Sequence, residues 1–178
     1  MNSFKRRSFL LIAGFFLIGI VLTLFPYQSV LVFSKQHTNE LIAYTPMNEG
    51  DRFQIIYTHS IHLTDVIESY LITEDRQIEQ YEMSFEEFGI GMPSRATGAQ
   101  QLIIKDGRYY LTNMTNRHSY LPIRVADVVP QQRFLWNDGN HLIWFKEYFE
   151  PQSYITVEMK KLSLWQLRKG VKLREHNE

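Results

Sequence analysis

The densest run of reactive side chains is His59-Ser60-Ile61-His62-Leu63-Thr64-Asp65-Val66-Ile67-Glu68, in which His59, His62, Asp65 and Glu68 recur at every third residue. Imidazoles and carboxylates ligate zinc and related metals, so the spacing raises a metal site. Regular structure argues against one. On a helix each step of three turns the side chain by about 300°, and on a strand odd steps alternate faces, so neither gathers all four groups. Only a turn at Ile61 to Thr64 could do so, and the reading assigns no metal and no cofactor. A smaller pairing survives, because a hairpin turning there brings His59 towards Glu68 on adjacent strands. The carboxylate would favour the protonated imidazole. Such a pair is either a polar link tying two strands together, which is the favoured reading, or a general base or ligand-gripping pair. Ser60 beside them suggests a Ser-His-Glu hydrolase, but adjacent strand residues point to opposite faces and no G-x-S-x-G elbow is present. No catalytic residue is assigned.

Gly89-Ile90-Gly91-Met92-Pro93 follows Phe85-Glu86-Glu87-Phe88 and reads as a loop with a rigid exit. It is not a phosphate cradle. The lysine of a P-loop is missing, and Ser94 stands where G-x-G-x-x-G needs its third glycine. With no cysteine in the chain, disulfides, thiolate nucleophiles and Cys-ligated metal centres are excluded.

The elements that must position these groups are strands. Short runs rich in Ile, Val, Tyr, Phe and Thr are separated by Gly, Pro, Asn and Asp. They predict strands at Glu40 to Tyr44, Phe53 to Ser60, Val66 to Thr73, Gln77 to Phe85, Gln101 to Lys105, Arg108 to Asn113, Leu121 to Val125, Arg133 to Trp136, His141 to Phe145 and Tyr154 to Met159. Lys105-Asp106-Gly107 and Asn137-Asp138-Gly139-Asn140 carry hairpin-turn chemistry. Phe53, Ile55 and Tyr57 share one face of their strand, and Val66, Glu68, Tyr70 and Ile72 one face of theirs. The expected fold is all-β, an antiparallel sandwich of about 8–10 strands.

Phe9 to Phe25 carries no charge. As a helix it covers about 26 Å of the roughly 30 Å hydrocarbon core, with Ser8 and Tyr27 to Val32 supplying the rest. Lys5, Arg6 and Arg7 precede it and orient the amino terminus to the cytoplasm. An uncleaved signal anchor is favoured over a signal peptide, since no small-x-small cleavage site follows. The expected organisation is a basic tip and anchor over residues 1–33 and an extracytoplasmic domain over residues 34–178, in a single-pass protein of the cell membrane. With equal numbers of basic and acidic residues overall, three of the basic ones ahead of the anchor, the exported part is mildly acidic and unsuited to nucleic acid. From Lys160 the chain turns basic, with Leu164, Leu167 and Val171 on one helical stripe, and reads as a helix or a last strand. A solvated edge beside a core-facing Trp165 is the favoured role for this tail, and contact with anionic lipid or a partner the alternative.

An apolar strand ending in His59-Ser60, then Glu68 and Tyr70, then Phe88-Gly89-Ile90-Gly91-Met92-Pro93, resembles the bacterial DUF1850 family, a domain of unknown function associated with TAXI-type TRAP transporters. The resemblance covers about residues 53–93. It carries the family motif onto Ser60, Tyr70, Gly89, Gly91 and Pro93 beside His59 and Glu68. Asp65-Val66-Ile67 stands where the family commonly has a proline, so that turn is expected to differ. The resemblance implies no catalytic activity. It implies an accessory to a system in which an exported binding protein delivers an organic acid to a gradient-driven permease, with the TRAP permease or the solute-binding protein as partner. Two alternatives stand beside it: an envelope small-molecule binding or sensor module, and a metal-binding envelope protein.

Overall fold

A computed structural model describes residues 3–89, 92–93, 95–129 and 131–174, with side chains from residue 11 onward. The chain runs α1 (Ser3–Leu24), β1 (Gln28–Lys35), β2 (Leu41–Pro46), β3 (Arg52–Thr58), β4 (Asp65–Ile72), β5 (Ile78–Phe85), β6 (Gln101–Lys105), β7 (Arg108–Thr112), β8 (Asn116–His118), β9 (Leu121–Arg124), β10 (Arg133–Trp136), β11 (His141–Trp144), β12 (Tyr154–Leu162), α2 (Leu164–Leu167) and β13 (Val171–Lys172). Two sheets form. The smaller has the order β13-β2-β1-β12-β9, the larger β11-β10-β3-β4-β5-β7-β6, with β8 also pairing β5. All pairings are antiparallel except β13 with β2.

Alternation sets the layers. Leu31 and Phe33 of β1, with Ile155 and Val157 of β12, meet Phe53, Ile55, Tyr70, Ile72 and Phe134 of the larger sheet in one buried core. Phe33 lies at its centre, edge-on to Phe134 at 5.2 Å and stacked on Phe149 at 5.5 Å. A second cluster of Val66, Met83, Phe85, Leu111 and Met114 contains no residue of the smaller sheet; Met92 and Ala96 pack against it. The β6–β7 turn places Asp106 and Gly107 at φ 52° and 79°, and the β10–β11 turn places Asn137, Asp138 and Gly139 at positive φ, as two-residue and longer hairpin loops require.

Three elements differ from the sequence reading. Residues 28–32, read as lengthening the apolar helix, belong to β1, a central strand, so helix and sheet meet at Leu24–Gln28 rather than near residue 33. Val30 and Val32 on its outer face are buried with Leu162 and with Leu167 of α2. A strand covered on both faces has a continuous apolar run and loses the alternation that marks a strand. Strands β8 and β13 are three and two residues long, too short for a periodic signal. The tail after Lys160 is both helix and strand: β12 continues to Leu162, α2 makes one turn, and β13 follows. Among the described residues no helix is long and apolar enough to cross a membrane, the described side chains of α1 beginning only at Leu11.

Candidate functional site

The last pair of the β3–β4 ladder is Thr58 with Asp65. Beyond it the chain turns tightly. The His59 N–H donates to the Thr64 carbonyl at 2.8 Å, the Leu63 N–H donates to the His59 carbonyl at 2.9 Å, and Leu63 takes the left-handed conformation at φ 57°. His59 Nδ1 accepts from the backbone N–H of Ile61 at 3.3 Å, so the neutral imidazole carries its proton on Nε2. The His59 and His62 rings lie 4.9 Å apart, and His62 Nδ1 reaches Glu87 Oε2 at 2.6 Å.

Both imidazole edges abut Gly89. A Cβ there would stand 3.0 Å from His62 Nε2 and 3.3 Å from His59 Nε2. The His-Ser turn and the Phe-Gly loop, about thirty residues apart in sequence, thus meet, and the glycine gives the two rings room by close approach rather than by a positive φ. Phe88 packs on Tyr109 at 4.3 Å, and the Met92 N–H donates to the Gly89 carbonyl at 3.0 Å. Ser60 is exposed and Pro93 half-buried; Gly91 lies outside the described residues.

The four residues at spacing three do not converge. Asp65 points into an arginine clasp, taking the Arg133 guanidinium and the Thr58 hydroxyl (2.9 Å) on its carboxylate while Arg108 holds its carbonyl. Glu68 stands opposite Ile55, four residues before His59. Its partner is Tyr70, whose hydroxyl donates to Oε2 at 2.8 Å. The expected His59–Glu68 pair is therefore corrected: with Thr58 paired to Asp65, the ladder carries Glu68 back into the sheet while His59 passes into the turn.

What Glu68 faces is a cleft of about 400 Å³ where the larger sheet's inner face extends past β9, the edge of the smaller sheet. Ile55, Tyr57, Glu68, Tyr70 and Gln80 form its floor, and His118, Leu121 and Ile123 line its walls. Gln80 accepts from Asn116 at 3.3 Å, and the Gln132 side chain is committed to Ala126 N–H (2.7 Å) and the Arg124 carbonyl (3.1 Å). Burial pushes the Glu68 carboxyl above the usual carboxylate range, with the Tyr70 hydrogen bond opposing. Burial likewise pushes up the Tyr57 and Tyr70 hydroxyls, and the Glu68 charge adds to both. Among the described residues only Tyr70 hydrogen-bonds this carboxyl. A larger groove of about 890 Å³ lies by the β2–β3 and β10–β11 turns, but exposed turn residues such as Asp51, Asn137 and Asp138 line it, with no buried acid.

Sequence reasoning missed Tyr57, Gln80 and His118 as cleft residues. The signal was present in Glu68 and Gln80, polar residues in strand phases that otherwise point inward with Val66, Ile72 and Ile78.

These features define a two-layer β-sandwich with a polar cleft between its sheets. The model for the domain of unknown function DUF1850 matches residues 53–143, just over half of the chain, and the chain belongs to that family. The match runs from β3 to β11, spanning all but the outermost residue or two of the larger sheet, the cleft floor and the His59–Gly89 contact. No curated protein and no solved structure matches.

Proposed function

We propose that this protein is a membrane-tethered, extracytoplasmic binding module that takes a small ligand into the cleft beside Glu68 and serves a TAXI-type TRAP solute transporter as an accessory. The observation that carries the binding role is the cleft itself, in which a half-buried carboxyl, hydrogen-bonded among the described residues only by Tyr70, sits with Gln80 and two tyrosines on the sheet face. Such a group takes an N–H or ammonium donor, which would compensate its burial. The flat apolar patch expected of a module acting purely by protein contact is not the feature at this site, which favours ligand binding over docking alone.

The tether reading is supported by α1. Leu11, Phe15, Phe16, Leu17 and Leu22 are exposed within the uncharged stretch Phe9 to Phe25, which covers about 26 Å of the roughly 30 Å hydrocarbon core. Lys5, Arg6 and Arg7 place its start in the cytoplasm. The transporter role follows from the family resemblance and the topology, since a single span forms no transport path and the sandwich is placed to meet a permease or its binding protein.

The test is thermal unfolding of the full chain in detergent against a panel of small amines, amino acids and organic acids. A ligand at a hundredfold excess over its Kd adds about 2.7 kcal/mol. Stabilisation of the native chain that Glu68→Gln abolishes supports the cleft; equal stabilisation of both chains refutes it. Co-purification of a tagged chain with TRAP components tests the transporter role, and their absence refutes it.

A further inference from the structure

The basic carboxyl-terminal segment is not used by the cleft, yet the fold brings it to the end of α1. In the β1–β12 register Gln28 pairs with Leu162, so the residues that leave α1 lie beside those that enter α2, and the two helices pack together. A capping box fixes α2: the Ser163 hydroxyl accepts from the Gln166 N–H at 3.2 Å, and Gln166 Oε1 accepts from the Ser163 N–H at 2.9 Å. Leu167 turns inward onto Val30 and Val32. Leu164 and Trp165 are thereby left outward, 43% and 53% exposed, which corrects the core-facing Trp165 expected from sequence; Tyr27, next to the Gln28 that pairs with Leu162, is 50% exposed. Lys161, Arg168 and Lys169 flank them in the chain and are exposed, and none forms an ion pair with a described residue. No acidic residue occurs between Glu158 and Glu175.

We infer that α2 and its flanks are a second membrane contact, which seats the sandwich on anionic phospholipid headgroups next to the anchor; the inference rests on α1 being that anchor. Indole and phenol rings suit the boundary between lipid and water, and a one-sign cluster without internal counter-charges suits an anionic surface. The occupant is lipid because the patch is continuous with the helix that enters the membrane. With only Phe25 to Tyr27 between α1 and β1, this second contact holds the module in one orientation, where a single tether would let it swing.

The chain has no cysteine, so a single nitroxide can be placed without other changes. Full-length Trp165→Cys and, as a control, Thr38→Cys in the exposed turn beyond the far end of β1, are labelled and reconstituted in nanodiscs of phosphatidylcholine with or without phosphatidylglycerol. The expected result is a severalfold loss of collision with an aqueous relaxation agent at position 165 only, larger with phosphatidylglycerol and reversed by added Arg168→Glu and Lys169→Glu or by high salt. Lys169→Cys in the chain that keeps Trp165 provides a second reporter, expected at the headgroup level. Equal aqueous access at positions 165 and 38 in inserted chains overturns the docking while leaving the anchor standing. Protection that ignores lipid charge, or that arises only when a partner protein is added, also overturns it. Release of the chain from membranes by alkaline carbonate overturns the anchor and the docking together.

Discussion

Replacing Glu68 with Gln keeps an oxygen to accept the Tyr70 hydroxyl, now 2.8 Å from Oε2, and removes only the ability to ionise. Burial raises the folded-state pKa of this carboxyl above its unfolded value of about 4.3. The folded chain therefore binds the proton more tightly than the unfolded chain does. The stability this contributes is fully present below the unfolded value and is lost as pH rises through the folded value. Each tenfold difference in proton affinity is worth about 1.4 kcal/mol, which for a chain of this size moves Tm by about 3–5 °C. Glu68→Gln lacks that loss. Melting of full-length native and variant chains in detergent, followed by near-ultraviolet circular dichroism from pH 4 to pH 8, should give curves that converge at the acid end. They should separate above it, with the variant the more stable at pH 8. Titrations elsewhere cancel in the difference between the two chains. Parallel curves, or a variant that falls below the native chain at pH 8, would refute the assignment of Glu68 as a carboxyl held in a desolvating cleft.

Four further outcomes are expected. Tyr70→Phe removes the hydrogen bond that holds the Glu68 pKa down, so the pH at which the fall in stability levels off should move upward in the same melting series. Phe33→Ala leaves a void among Phe134, Phe145 and Phe149 and should cost about 3–5 kcal/mol by denaturant titration; a cost below about 1 kcal/mol would remove Phe33 from the centre of the core. Gly89→Ala presses a methyl group to 3.0 Å from His62 Nε2, and should displace the ring from its 2.6 Å contact with Glu87, seen as a shift of the His62 resonances in the imidazole NMR spectrum. Gly170→Ala brings its Cβ to 2.6 Å from Leu41 Cγ and should destabilise the chain by about 1–3 kcal/mol through overpacking, measured by the same titration.

Much of the strand content was legible because half-buried strands carry their own signature. Phe53, Ile55 and Tyr57 recur at every second residue of β3, and Asp106-Gly107 and Asn137-Asp138-Gly139 adopt the positive φ that their residue types tolerate. Strand β1 was hidden, since being covered on one side by the core and on the other by α2 makes its centre, Val30 to Phe33, a continuous apolar run. The motif segments were legible as segments, but not their meeting, because nothing local to His59 or Gly89 encodes a contact across thirty residues.

By itself the sequence determined the composition of the layers, the uncharged stretch from Phe9 to Phe25 and the exclusion of cysteine chemistry, all properties of residue type and near-neighbour spacing. Partnership was decided only in three dimensions. A register of Thr58 with Asp65 separates His59 from Glu68 and sends the one to a glycine-lined turn and the other to a tyrosine in a cleft. The physical reason is that a ladder assigns neighbours by hydrogen-bond register over its whole length, and a short edge strand on the opposite sheet leaves the floor beneath it open.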